Sequence, residues 1–133
     1  MNVFDDCSFD SVHFNIGDII APGQRWSTGS PGAGGAELQI NTVNKENSTF
    51  TGMYRVLLDN SLYPIHGVFD PSGNAIGWMV SYWNENGNYH SIGTWAGYVK
   101  KDQNYWAVSC TRMILGQINT SIGYNDTYTL ESN

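Results

Sequence analysis

Two neighbouring segments alternate large and small residues over strand-length runs. They are Gly77-Trp78-Met79-Val80-Ser81-Tyr82-Trp83 and His90-Ser91-Ile92-Gly93-Thr94-Trp95-Ala96-Gly97-Tyr98. A period of two is the period of a strand, whose side chains point to opposite faces in turn. Trp78 therefore shares a face with Val80 and Tyr82, and Trp95 shares one with Gly93 and Ser91. If the two strands pair, two indoles and a serine hydroxyl look into one cavity. Apolar walls with a few placed polar groups are what a small-ligand pocket needs.

The rest of the chain repeats the pattern. Fifteen glycines, with many Asn, Asp and Ser residues, separate short runs rich in Val, Ile, Tyr, Phe, Trp and Thr. That is the signature of an all-β domain. Strands are predicted over 24–27, 37–43, 48–57, 62–69, 75–83, 91–98, 105–115 and 126–130, with no long helix. Eight strands with short connections suit an antiparallel up-and-down barrel, which encloses room for one small ligand. Asn44-Lys45-Glu46-Asn47 reads as a hairpin loop. Asp70-Pro71-Ser72-Gly73-Asn74 reads as a tight turn, because proline presets one φ and glycine accepts a positive one. Two more turns are expected over 84–88 and 100–104. The loop over 28–35 is either a lid over the barrel mouth or a long surface loop. Residues 1–23 do not read as a strand and form an N-terminal arm, a tail or a packed segment, ahead of a barrel over 24–133.

Composition excludes some functions. The 133 residues suit one domain. A net charge of −6 without a basic patch argues against nucleic acid. No apolar run approaches the ~18 residues of a membrane-spanning helix. Only 14% of residues are charged, which points to a surface partly covered by a partner, and 41% are hydrophobic, enough for a core. Cys7 and Cys110 are too few for a disulfide framework; two thiols is the preferred reading and one bridge the alternative. The first twenty residues lack the basic start and apolar block of a signal peptide. The three sequons at Asn47, Asn119 and Asn125 carry little information in an Asn-rich chain.

Five motifs in order resemble the avidin and streptavidin family. Thr51-Gly52-Met53-Tyr54 is similar to the family's Thr-Gly-x-Tyr, and Tyr63-Pro64-Ile65-His66-Gly67 to its Tyr-x-Leu-x-Gly. Ile76-Gly77-Trp78-Met79-Val80-Ser81-Tyr82 is similar to Gly-Trp-x-Val-x-Trp. His90-Ser91-Ile92-Gly93-Thr94-Trp95-Ala96-Gly97 is similar to His-Ser-Ala-Thr-Thr-Trp-x-Gly, and Asp126-Thr127-Tyr128-Thr129 to Asp-Thr-Phe-Thr. The run from Phe4-Asp5-Asp6 to Phe9-Asp10 faintly resembles the N-terminus of the short dimeric members.

The resemblance implies an eight-stranded barrel that binds biotin at one open end, without cofactor or metal. By position it implies that Tyr54 holds the ureido carbonyl, that Asp126 accepts from a ureido nitrogen, and that Ser91 meets the carboxylate end. Trp78 and Trp95 would flank the rings. It also exposes departures. Thr28 stands at the family's first-strand asparagine. Ser30, or Ala36, stands near its ureido serine. Val56 replaces the loop serine, and Gly93 replaces the threonine that meets the thioether. The third tryptophan falls at Thr111 or Cys110. Thr111 is preferred, since that register keeps Arg112 out of the interior, where an unpaired charge is costly. The fourth tryptophan has no counterpart; Gln117 or Ile118 stands near its place.

These departures imply biotin binding of reduced affinity. The rival readings are a diverged lectin-like or defence barrel taking a sugar or other metabolite, and an interaction module. Ser91, His90 and Asp126 make an imaginable catalytic set, but no nucleophile-elbow sequence supports it, so no enzyme is expected. His13, His66 and His90 lack metal-ligand spacing. Trp83, Trp106, Val108, Ile114 and Leu115 are assigned to outer or interface faces, which predicts a homodimer or homotetramer, with the dimer preferred. An extracellular location is expected.

Overall fold

The computed structural model describes residues 14–28, 35–83, 89–102, 105–116 and 120–131, with side chains described except at 81–83, 89–92, 102, 113–116 and 120–126. Eight antiparallel strands follow one another around a closed barrel: β1 (Arg25–Ser27), β2 (Ala36–Asn44), β3 (Thr49–Val56), β4 (Leu62–Phe69), β5 (Ala75–Trp83), β6 (Tyr89–Asp102), β7 (Tyr105–Gly116) and β8 (Thr120–Leu130). Closure removes the free sheet edges that an open meander would present. The seam is short, since β1 meets β8 only at Trp26↔Leu130 and Ser27↔Thr129. The Glu131 N–H donates to the Arg25 carbonyl at 2.9 Å and lengthens it by one bond.

Alternation decides which side chains fill the barrel. Phe50, Gly52 and Tyr54 of β3 are buried between half-buried neighbours. Ile65, Gly67 and Phe69 of β4 are buried between exposed ones. Gly67 is required by close packing, because a Cβ there would collide with the Phe50 ring. Ile76, Trp78 and Val80 continue the layer on β5, and Trp95 and Val99 on β6.

The β3–β4 turn at 57–61 lies at one end of the barrel. The β2–β3 and β4–β5 turns lie at the other, and there the described part of the N-terminal arm is packed. Ile16, in a short 3-10 turn over Ile16–Asp18, is fully buried, and Ile20 is nearly so. The Ile16 N–H donates to the Gly73 carbonyl at 2.8 Å, tying the arm to the β4–β5 turn. That turn has the expected chemistry: Asp70 accepts from the Ser72 N–H at 3.0 Å. Gln24 fastens the arm to β1. Its side-chain oxygen accepts from the Ala21 N–H at 2.9 Å, and its amide donates to the Ile19 carbonyl at 2.7 Å. Phe14 packs edge-on against Trp106 with ring centroids 4.8 Å apart.

Two assignments on β7 are corrected here. Val108 is in the core at 1% exposure, and Trp106 packs against the core as a partly buried residue. Trp106, Val108 and Cys110 share the inward face, so neither Trp106 nor Val108 supplies an outer apolar face. Their strand neighbours Ala107 and Ser109 are small or polar, which made the inward set the more apolar one. The β8 strand also begins at Thr120 rather than 126, because its pairing with β7 runs on through Leu115↔Thr120 despite the local Gly and Asn content.

Candidate functional site

The register places the two indoles side by side. Trp78 pairs directly with Trp95, Val80 with Gly93 and Tyr82 with Ser91. Trp78 and Trp95 are 3% and 2% exposed, and their rings stack at 5.9 Å with an interplanar angle of 11°. Tyr54 reaches the pair from β3, with its ring 5.1 Å from Trp95. Tyr128 of β8 closes the group from the far side, 5.5 Å from Trp78 and edge-on. Such offset and edge contacts each contribute about 0.5–1.5 kcal/mol beyond area burial. Four strands thus meet in one aromatic cluster. The Trp78 Nε1–H is buried and meets no acceptor among the described residues. An orphaned buried donor costs about 1–3 kcal/mol, and an acceptor on a ligand would relieve it.

Gly93 shapes this cluster. A Cβ at this position would lie 2.6 Å from Cη2 and Cζ3 of Trp95. The indole therefore folds back over the glycine, occupying the volume that a threonine side chain would need. Gly93 is the seat of Trp95 rather than an empty subsite.

The remaining predicted positions divide. Thr28, half-buried at the end of β1, accepts from the Ala36 N–H through Oγ1 at 3.2 Å, while its own N–H donates to the Ala36 carbonyl at 3.1 Å. Its hydroxyl ties the end of β1 to the start of β2. Val56 is half-buried, packs against the core and ends β3 at the rim. Ser91 and Asp126 hold strand positions opposite Gly116 and Cys110 respectively; their side chains, like Ser30, lie outside the described residues.

Thr111 is corrected. It is exposed, and Cys110, at 5% exposure, faces the interior. Arg112 consequently falls on the inward face. It pairs with Trp95 across β6 and β7, it is half-buried, and its Nε is buried. The cost of one inward guanidinium is outweighed by the burial of three apolar residues on the same face, Trp106, Val108 and Cys110. Cross-strand neighbours share a face, so Arg112 belongs with the indoles. Tyr128 was also missed, although its place two residues after Asp126 gives it the same parity.

A concavity of about 500 Å³ lies on the outer surface of β3, β4 and β5. Thr49, Thr51, His66, Val68 and Met79 surround Gly77 there. Its walls are apolar side chains and threonines, with His66 exposed.

No protein-family model matches the chain, and no curated protein sequence matches it. Solved structures do. Rhizavidin superposes with a TM-score of 0.69 at 20% identity, over 90% of this chain and 89% of that one. Apo shwanavidin gives 0.66 at 21% identity, over 85% and 98% of the two chains. A short afifavidin in complex with biotin gives 0.61 at 20% identity, over 84% and 90%. A closed eight-stranded antiparallel barrel with this element order is what all three share with the chain, which therefore has the avidin fold.

Proposed function

We propose that this chain is a non-catalytic binding protein that takes biotin or a related small molecule inside the barrel, at the end that carries the 57–61 turn. The observation that carries the reading is the Tyr54–Trp95–Trp78 cluster, which supplies a phenol and two parallel indoles at one depth. A bicyclic urea needs an apolar slot for its rings and hydrogen-bond partners for its carbonyl and N–H groups. Tyr54 is the carbonyl donor and Asp126 the N–H acceptor in this reading. Biotin complexes of rhizavidin and short afifavidin, which share the fold, support it.

The affinity is reduced. The Thr28 hydroxyl is engaged with the Ala36 backbone, Gly93 offers the thioether no hydroxyl, and Cys110 and Arg112 occupy the region of a third indole. A missing aromatic removes about 1.5–3 kcal/mol and each missing donor about 1–3 kcal/mol. Starting from about 10⁻¹⁵ M for the tightest biotin complexes, such losses lead to nanomolar or micromolar binding. The protein assembles as a homodimer and works outside the cell. Calorimetric titration with biotin and with a panel of glycans tests the ligand: biotin heat with one site per chain supports the reading. Glycan binding without biotin binding would replace it with a lectin-like one.

A further inference from the structure

We propose that Arg55 is the positioning residue of the barrel mouth. It joins the buried carboxylate of Glu37 to the side chain of Asn60 and so fixes the 57–61 turn before any ligand arrives. A ligand then enters past a rim already in place. The inference rests on the proposed function for which end is the mouth, and it adds the residue that sets the rim. Three observations carry it. Glu37, on β2, is 7% exposed and lies directly opposite Arg55 in the β2–β3 register. Arg55 grips its carboxylate at two points, with Nη2 3.1 Å from Oε2 and Nε donating to Oε1 at 3.3 Å. The remaining terminal nitrogen, Nη1, donates to the Asn60 side-chain oxygen at 2.8 Å.

A buried carboxylate keeps its charge only with a partner, so Glu37 holds the guanidinium in one orientation. The rigid planar fork then aims its third nitrogen at the turn. A lysine ammonium, a single point charge, cannot span both partners. The turn is built to receive this hold. Asn60 has a left-handed backbone, with φ 62°, which asparagine tolerates better than most residues. Its N–H donates to the Val56 carbonyl at 2.8 Å, and the Val56 N–H donates to the Ser61 carbonyl at 2.9 Å. The Leu57 N–H donates to the Gly35 carbonyl at 3.0 Å, which ties the turn to the residue before β2. There the Ala36 N–H donates to the Thr28 hydroxyl at 3.2 Å. Contacts therefore run from the end of β1, through the start of β2, to the turn. Displacing the turn breaks several of them at once.

The experiment follows backbone hydrogen exchange at Leu57 and Asn60 in the full-length chain, with and without saturating biotin. Exchange at Val99 and Val108 reports the rest of the barrel. Wild type is compared with Asn60→Gly, Asn60→Asp and Arg55→Lys. Asn60→Gly keeps the positive φ and removes the acceptor, whereas Asn60→Asp keeps an acceptor for Arg55. In wild type both turn amides should be protected without ligand, and biotin should change their exchange by less than about threefold. Asn60→Gly and Arg55→Lys should each speed it about tenfold, the worth of one charge-assisted hydrogen bond, with Val99 and Val108 unchanged. Combining the two changes should add little to either alone, because both break the same contact. Asn60→Asp should exchange as wild type does. If Arg55→Lys does not fold, the two Asn60 variants decide. Unaltered exchange in folded Asn60→Gly, equal acceleration in Asn60→Gly and Asn60→Asp, or turn amides protected only when biotin binds would overturn the inference. If biotin does not bind, the biotin reading fails, and exchange in the ligand-free variants still decides the role of Arg55.

Discussion

At the scale of single residues, on the proposed function, Gly93 and Arg112 are what would separate this pocket from a tight biotin site. Restoring the threonine by Gly93→Thr should not restore affinity. The new Cβ would meet the Trp95 ring at 2.6 Å, and overpacking of this kind costs about 1–3 kcal/mol. Denaturant melts of the variant are expected to show that loss, and a variant as stable as wild type would mean that Trp95 readily leaves its seat. On the proposed function, Asp126→Ala should weaken biotin at least about tenfold, the worth of one charge-assisted hydrogen bond. Trp95→Ala should weaken it further, and calorimetry on the folded variants measures both. The pairing of Trp78 with Trp95 was legible in the sequence, because both strands alternate cleanly and a turn separates them. The inward position of Arg112 was not. Both faces of β7 carry plausible core residues, and only the closed register with β6 and β8 decides between them.

At the scale of elements, the strands were easier to read than the segment before them. β4 and β5 have the predicted bounds because strong turns flank them, notably Asp70-Pro71-Ser72-Gly73. The arm has no periodicity, so nothing local indicates that Ile16 and Ile20 close the end of the barrel that carries the β4–β5 turn. Its order comes from tertiary partners: the Gly73 carbonyl, the Gln24 side chain and the Trp106 ring. Ile16→Ala should therefore cost about 2–5 kcal/mol, as large-to-small changes do at fully buried sites. Gln24→Ala should cost about 1–3 kcal/mol by stranding the Ile19 carbonyl and the Ala21 N–H. Thermal unfolding reads both, and unchanged melting of both variants would mean that the arm is not part of the cooperative unit. The 57–61 turn should respond to acid. The Ser61 hydroxyl and N–H hold the Asp59 carboxyl below its usual range. The contribution of that contact is present above the ordinary carboxylate pKa and fades as pH falls through the lowered value. Hydrogen exchange at Ser61 should accelerate only in strong acid.

At the scale of the whole molecule, a closed barrel leaves its outer face as the surface on which assembly depends. With Trp106 and Val108 turned inward, the exposed large apolar residues among the described ones are Leu62, Val68, Met79 and Tyr98 on β4, β5 and β6, together with Leu58 and Tyr105. The low charge content and this outer patch motivate the proposed homodimer. Light scattering at micromolar concentration should return twice the chain mass, and a 14.8 kDa particle would contradict it. The central claim is that the ligand enters the barrel and rests on the indole pair. A crystal structure grown with saturating biotin tests it most directly. The account predicts density for the bicyclic ring within about 4 Å of both the Trp78 and Trp95 rings, with the Tyr54 hydroxyl on the ureido oxygen. Biotin seated instead in the outer concavity around His66 and Gly77, or an unchanged interior at saturating ligand, would contradict it.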